Sequence, residues 1–497
     1  MSWFGSLWPW GTSHKTAAPS QDRTNYAGTR SRNLDEDTGM GRGGREAITL
    51  SAYDQRRNNH VAAAIGKCFS DNVLGPRGLI PHSTTSDPVW NKRADEYLLN
   101  WYKVADYRRR ETMRGLQGNM IDARLWSGDM FLLLTDSGQL QPVEGLRVKT
   151  PAKLANDPQV VDGIRLTPEG IALGYYIHER KNGALDPDNY AYREAANVVH
   201  IKAKYWRSDC LRPPAETQDV LAKISDLDDL QNAILRRARA EAGNGAVVTT
   251  AEGAGKISGI ASLDRGNKST AEQIGTVHEK IDGWKTFYLR PGEDVKHPSL
   301  SAPGGNYVPY IIQQWDEIGA ALGVPGEYLR KHFDASFSAS TVAIMQADNT
   351  FDTWEEDLRI IMQRIRNWRI AKAIKDGELD PAPVDERGFS TWWMCDWIGA
   401  PRKSIDPVKR ANANRATFAM GIGSLQAMAR QETGKSLAEL FAEKKEAIRQ
   451  AIVLAEELTK ETGVKVTYGE IINLSSSISQ DATPQPDPKP EPANAGT

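Results

Sequence analysis

The sequence predicts an α+β chain, in which a mixed helix-and-sheet body is followed by long helices and an all-α C-terminal domain. Three observations carry this expectation. Residues 126–205 hold apolar runs separated by short turn signals, the pattern of a sheet. Residues 215–242 and 340–376 hold long apolar repeats of helical period. Residues 406–462 are helical in period again, with no alternating stretch among them. The length, 497 residues, leaves room for about three domains.

Taken in order, Met1 to Trp10 (MSWFGSLWPW) is apolar, lacks a leading cation and contains Pro9. It reads as a docking arm or a sticky end rather than an export signal. Residues 11–46 are polar and Gly-rich, too poor in apolar side chains to order themselves, so 1–49 is expected to be a flexible arm. Residues 50–70 read as one helix, with Tyr53, Val61, Ala64 and Ile65 on a stripe, ended by Asn72-Val-Leu-Gly-Pro-Arg-Gly78. A second helical region covers 87–125. Met130 to Thr135, the turn Asp136-Ser-Gly138 and the next apolar stretch form a hairpin. Ile164-Arg-Leu166 and Ile171 to Ile177 form another, and Val198 to Lys202 adds a strand.

After Pro214, Leu221, Ile224, Leu227, Ile234 and Ala238 mark a helix. Gly243 suits its end, and Arg236, Arg237 and Arg239 suit the negative pole of its dipole. Residues 244–305 read as a small α/β insertion: Ala246-Val-Val-Thr249, a short helix near 270–281, and Trp284 to Leu289. A helix over 308–322 closes it at Gly323-Val-Pro325. The clearest period follows, in Ile344, Ala347, Phe351, Trp354, Leu358, Ile361, Ile365 and Trp368. A helix from Ser340 to Asp376 is roughly 55 Å long, and its stripe calls for a partner helix or a neighbouring subunit. Helices over 406–431 and 436–462 complete the body, and 475–497 is a Ser- and Pro-rich tail of disordered composition.

Composition and motif spacing exclude much chemistry. Lys and Arg number 62 against 64 Asp and Glu, which excludes a chain that grips phosphates over its whole surface. Cys68, Cys210 and Cys395 are too far apart in sequence for a CxxC pair or a disulfide scaffold. With a mean hydropathy of −0.52 and no apolar run near ~20 residues, nothing reads as a membrane span. There is no HExxH and no GxSxG. Ala429 to Gly434-Lys435-Ser436 fits a relaxed phosphate loop, but the residues before it are helical. Gly434 as a helix end and Ser436-Leu-Ala-Glu439 as a capping box explain the same residues. Arg108-Arg109-Arg110 reads as a solvated face, and Trp392, Trp393 and Trp397 as core or subunit interface. No catalytic, cofactor-binding or metal-ligating set emerges.

The order of parts resembles the lambda-type family of tailed-bacteriophage portal proteins, the head–tail connectors. The carriers are Arg56-Arg-Asn-Asn59 with Asn72-Val-Leu-Gly75, Trp126-Ser-Gly-Asp-Met-Phe131, Val199-His-Ile-Lys202 and Leu289-Arg-Pro-Gly-Glu293. Trp315-Asp-Glu-Ile-Gly-Ala-Ala-Leu-Gly-Val-Pro325, Ile405-Asp-Pro-Val-Lys409 and Gly421-Ile-Gly-Ser-Leu425 follow in the same order. Two stretches depart from the family pattern. Ser336-Phe-Ser-Ala-Ser-Thr341 has Thr where the family run ends in Arg, and Leu211-Arg-Pro-Pro214 replaces an Arg-Gly-rich turn.

The resemblance implies a portal-like fold: wing 50–214, stem helices 215–243 and 306–323, clip 244–305, channel loop 326–340, long helix and return to the wing 341–399, and helical crown 400–474. It implies rings of about twelve copies at one capsid vertex of the virion, assembled in the host cytoplasm. The implied partners are double-stranded DNA in the channel, large terminase, major capsid and scaffold proteins and a head–tail adaptor, with no cofactor and no stable membrane insertion. Arg330, Lys331, His332, Phe333 and Asp334 become the candidate DNA-contacting residues. Ile344, Phe351, Trp354, Leu358, Ile361, Ile365 and Trp368 become the subunit-packing stripe. Two alternatives stand beside this: a DNA-packaging ATPase subunit using Ala429–Ser436 as its phosphate loop, which Lys435→Ala would inactivate, and a non-portal capsid or tail adaptor, a class that is smaller and lacks a sheet-bearing wing.

Overall fold

A computed structural model describes residues 41–249 apart from Asn182, Tyr205, Trp206 and Asp209, and residues 278–281, 284–289, 307–333, 337–399, 407–463 and 465–469. The arm to residue 40, most of the 250–306 stretch, Asp334 and the tail from 470 lie outside them. The chain divides into two compact units, Met1–Ala400 and Pro401–Thr497.

The first unit opens with α1 (Gly41–Asn58) and α2 (His60–Phe69). The single helix expected over 50–70 is broken at Asn59, which takes an extended conformation (φ −108°) and accepts a hydrogen bond from Val61 N at 2.8 Å, capping α2. Its Nδ2 donates to Ile224 O at 3.0 Å, so the break is anchored from across the fold. Residues 41–49, expected in the flexible arm, are helical. Buried Arg45 bonds Asp162 at 2.5 Å and Thr49 donates to Ser127 O at 3.2 Å, tertiary ties that composition does not reveal. A π-turn, Ser70–Leu74, extends α2 and closes at Gly75 with φ 57°.

Next come β1 (Ile80–Ser83), α3 (Pro88–Tyr102) and α4 (Met113–Trp126). The helical region expected over 87–125 is therefore two helices. Between them the Asp106 carboxylate accepts from the N–H groups of Arg108, Arg110 and Glu111, and Arg109 sits at φ 54°. Strands β2 (Asp129–Leu134), β3 (Leu140–Glu144), β4 (Val160–Val161), β5 (Ile164–Leu166), β6 (Ala172–Lys181), β7 (Ala184–Glu194) and β8 (Val198–Lys202) follow. They form two sheets instead of the one expected, ordered β3-β2-β8 and β4-β5-β6-β7. Strand alternation explains the split. Met130, Leu132 and Leu134 of β2 face the main helical core, while Phe131 and Leu133 join a second core with Val143, Val148, Ile164 and Ile177 between the sheets.

α5 (Leu221–Gly243) leads to a three-stranded sheet of β9 (Asn244–Thr249), β10 (His278–Ile281) and β11 (Trp284–Leu289), ordered β10-β11-β9. Of the short helix expected near 270–281, residues 278–281 are strand, held by antiparallel pairing with β11, and 270–277 lie outside the described residues. α6 (Tyr307–Leu322) returns beside α5, where Lys223 pairs with Glu317. After it come α7 (Gly326–Arg330), α8 (Phe337–Lys375) and β12 (Cys395–Ile398). β12 pairs antiparallel with β1, from Ile80 opposite Ile398 to Ser83 opposite Cys395.

The second unit holds α9 (Pro407–Ala419), α10 (Leu425–Thr433) and α11 (Leu437–Thr462), three helices instead of two. Gly421 at φ 73° and Ser424, which caps α10, break the stretch read as continuous. Among the described residues no helix is long and apolar enough to cross a membrane.

Candidate channel and subunit-contact site

The corner joining α6, α7 and α8 is built by the Trp315–Pro325 stretch. A Cβ on Gly319 would meet Val324 O at 2.3 Å, so only glycine lets the chain fold back against α6 there. Gly323 ends α6 at φ 72°, and Thr350 of α8 donates to its carbonyl at 2.5 Å. Pro325 stands just before α7 as its N-cap residue, and its carbonyl accepts from Tyr328 N–H at 3.0 Å. The expected loop 326–340 is therefore mostly helix: α7 takes its first residues and α8 begins at Phe337. An open cavity of about 530 Å³ lies in this corner between Asp316, Ala320, Pro325, Glu327 and Ala343.

The five candidate DNA-contacting residues do not share one environment. Arg330 turns inward, with a half-buried side chain whose guanidinium lies 4.0 Å from Asp316. Lys331 is exposed and takes the left-handed conformation that ends α7, at φ 56°. His332 is exposed, with its N–H bonded to Glu327 O at 3.1 Å. Phe333 is 40% exposed and meets the Tyr328 ring edge-on at 6.2 Å. Asp334 lies outside the described residues. Burial pushes the nearby Cys68 thiol up to about 12, against the pull of the Lys331 ammonium.

The packing stripe of α8 is covered by its own chain. Phe351, Trp354, Leu358 and Ile365 are buried, and Ile361 and Trp368 pack half-buried against the same core; Ile344 is also half-buried. Phe69 of α2 meets Phe351 edge-on at 5.6 Å and Trp354 at 4.7 Å, and Trp101 of α3 meets Trp368 at 6.4 Å. Of the two covers that the stripe allows, a partner helix or a neighbouring subunit, helices of the same chain supply the contacts seen here. What α8 leaves exposed is a different set, including Val342, Met345 and Ile360.

Two charge clusters, each built on a buried arginine, hold this scaffold, and sequence reasoning missed both as sites. Arg212 is fully buried and spends every polar arm. It bonds Asp129 at 2.5 and 2.9 Å, and the carbonyls of Gly145, Val148 and Asp162 at 2.7, 2.7 and 3.1 Å. Burial alone raises the Asp129 carboxyl, but Arg212 and the His200 contact at 3.2 Å hold it well below the usual carboxylate range. His200 itself is lowered, because burial outweighs its bond to Asp129. Its ring stacks on Phe131 at 4.4 Å. In the second cluster Arg124 bonds Glu216 at 2.8 Å and Asp357 of α8 at 3.2 Å, with its guanidinium 3.9 Å above Trp354. The available signals were Asp129 and His200 inside two family-like motifs, and Arg212 in the stretch noted only as a departure.

In the second unit, Gly434 ends α10 at φ 64° and Ser436 with Glu439 forms a reciprocal capping box. Lys435 bonds Glu443 at 2.6 Å. The stretch Ala429–Ser436 is thus a helix-to-helix joint, with α10 where a phosphate loop needs a strand. Ala451 and Ala455 are the apolar residues this unit buries among those described. Phe418, Met420, Ile422, Phe441 and Val453 are exposed, Ile422 by 75%. No cluster of metal-ligating side chains occurs among the described residues.

Comparison with known proteins agrees with this architecture. Residues 21–355 match the family model described as phage portal protein, lambda family. Portal protein B of Escherichia phage lambda is 22% identical over 451 residues, covering 79% of this chain and 81% of the relative. The portal protein of Escherichia phage N15 is 21% identical over 452 residues, covering 79% and 82%. A model that matches most of the chain, together with relatives aligned over most of their own length, establishes the kinship: the chain belongs to the lambda family of phage portal proteins.

Proposed function

We propose that this chain closes with about twelve identical copies into a head-to-tail ring at one capsid vertex, and that the ring is the conduit for DNA packaging and later ejection. Portal proteins are structural, non-enzymatic components of packaging, so the chain's task is to shape a passage rather than to turn over a nucleotide. In this reading residues 50–214 are the wing, 215–243 and 306–323 the stem, and 244–305 the clip. Residues 326–340 hold the channel loop, narrowed to the turn after α7. Residues 341–399 are the long helix and return, and 400–474 the crown. Large terminase and the head–tail adaptor dock on the clip, an insertion between two helices that projects from the ring's end. Capsid and scaffold proteins surround the assembly.

The observation that carries the ring is the second unit, whose apolar side chains stay in water in a single copy. Large apolar side chains left in water in such number suit an assembly surface, and a closed ring hides them without growing a filament. Near-neutral charge supports the conduit, because phosphate contacts repeated round a ring would hold the duplex fast. Light scattering and negative-stain imaging of the full chain test the assembly. Closed rings are expected, and a compact monomer at every concentration overturns the reading. For the channel, Lys331→Ala combined with Phe333→Ala is expected to weaken retention of packaged DNA; unchanged retention removes the assignment. Clip deletions that still recruit terminase remove the docking role.

A further inference from the structure

We propose that Tyr328 is a positioning residue for the DNA-contacting turn, tying Lys331–Phe333 to the π-turn of the wing through Asn72. This rests on the channel reading above and adds the device that sets the turn's posture.

The tie starts in the wing. A π-turn interrupts the regular ladder of a helix and is often kept where a side chain must be aimed. Here it carries Asn72, whose Nδ2 donates back to Cys68 O at 2.7 Å. With its amide oriented in this way, Asn72 presents Oδ1, which accepts from the Tyr328 hydroxyl at 2.8 Å. Tyr328 lies in the middle of α7, a helix of five residues that has little stability of its own. Its ring also meets Phe351 of α8 at 5.6 Å, so it is held from the wing and from the long helix together.

The turn then hangs on Tyr328. Lys331 N–H donates to Tyr328 O at 3.2 Å, His332 N–H to Glu327 O at 3.1 Å, and Phe333 rests its ring on the Tyr328 ring. Lys331 holds a left-handed conformation that side chains other than glycine adopt at a cost. A strained residue persists where its surroundings fix it, and here the amides of Lys331 and His332 bond the carbonyls of Glu327 and Tyr328 while Phe333 packs on the Tyr328 ring. The arrangement also gives Asn72 a task that its place in a family-like motif did not explain.

Tyr328→Phe keeps the ring and removes only the hydroxyl bond, so folding is retained. Hydrogen exchange on assembled full-length protein is expected to quicken at the Lys331 and His332 amides by about three- to tenfold, the equivalent of one lost hydrogen bond. Amides of α2 and α8 should not change. Asn72→Ala, which also loses its bond to Cys68 O, should quicken the same two amides at least as much, and adding Tyr328→Phe to it should add nothing further there, because the Tyr328–Asn72 bond is already gone. Packaged DNA should then escape faster from Tyr328→Phe particles. Unchanged exchange in both single variants overturns the tie. If Lys331→Ala with Phe333→Ala loses DNA while Tyr328→Phe retains it, the channel reading stands and the positioning role falls. If exchange quickens and neither set of variants alters retention, the channel assignment falls and takes the role with it.

Discussion

The two units of this chain solve the same problem in opposite ways. In the first, α8 carries an apolar stripe along its whole length, and α2, α3, α4 and α7 of the same chain cover it, down to the Phe69–Trp354 and Trp101–Trp368 contacts. In the second, α9, α10 and α11 read as an ordinary helical domain, yet Phe418, Ile422 and Phe441 remain in water. The period of α8 allows either a partner helix or a neighbouring subunit, and helices of the same chain lie against it. The second unit leaves large apolar side chains in water. An amphipathic period says that a face must be buried; it does not say whether the cover lies in the same polypeptide.

The largest test of this contrast removes the buried charge that holds the first unit. Arg212→Met leaves Asp129 buried without its cation, which should cost about 3–5 kcal/mol in denaturant unfolding. Adding Asp129→Leu should recover much of the loss, because a well-packed apolar pair avoids the desolvation penalty. If Arg212→Met unfolds like the parent, the cluster does not hold the first unit. A smaller effect, of opposite character, is expected in the second unit. Phe441→Ser with Ile422→Ser should leave monomer stability within about 0.5 kcal/mol, since both side chains are exposed. The concentration for ring assembly should rise at least about tenfold, the equivalent of ~1.4 kcal/mol. Loss of monomer stability without loss of assembly would reverse the contrast.

What was legible in the sequence follows the same divide between local and distant causes. The β2–β3 and β5–β6 hairpins, the phase of α8 and the capping box of α11 are written in residues a few positions apart, and each could be read directly. The pairing of β1 with β12 could not, because Ile80 and Ile398 carry no local mark of each other. The break at Asn59 has a local part, its cap on Val61 N–H, but its anchor on Ile224 and the ties of residues 41–49 to Asp162 and Ser127 are distant in sequence. The site divides likewise. The family resemblance proposes Arg330 to Asp334 together, whereas the Tyr328–Asn72 bond beside Lys331 and Phe333 needs the folded chain. So does the inward turn of Arg330 toward Asp316.

Acid sharpens the comparison further, because the His200–Asp129–Arg212 cluster belongs to the first unit. His200 sits below its ordinary 6.5, so the folded unit binds fewer protons there than the unfolded chain. Its contribution is complete above about 6.5 and is lost as the pH falls below that value. Asp129 is held below its ordinary 3.8, and its contribution is lost only on further acidification. Thermal melts from pH 7 to pH 5 should therefore show the first unit weakening in the His200 range, and His200→Gln should flatten that dependence. A parent melt that stays level over this range, or a variant that still declines like the parent, removes His200 as the cause.

The smallest expected effect separates backbone strain from charge at the turn after α7. Lys331 ends α7 in a left-handed conformation, which glycine adopts without the Cβ clash. Lys331→Gly should stabilise the first unit by up to about 1 kcal/mol, whereas Lys331→Ala keeps the strain and should not. Both remove the same ammonium group, so they should weaken DNA retention alike if the charge is what DNA meets. If instead Lys331→Gly retains DNA better than Lys331→Ala, the posture of the turn governs retention more than its charge. That result would place the functional weight on the tie through Tyr328, and on the first unit's ability to hold a strained turn in place without help from a neighbouring copy.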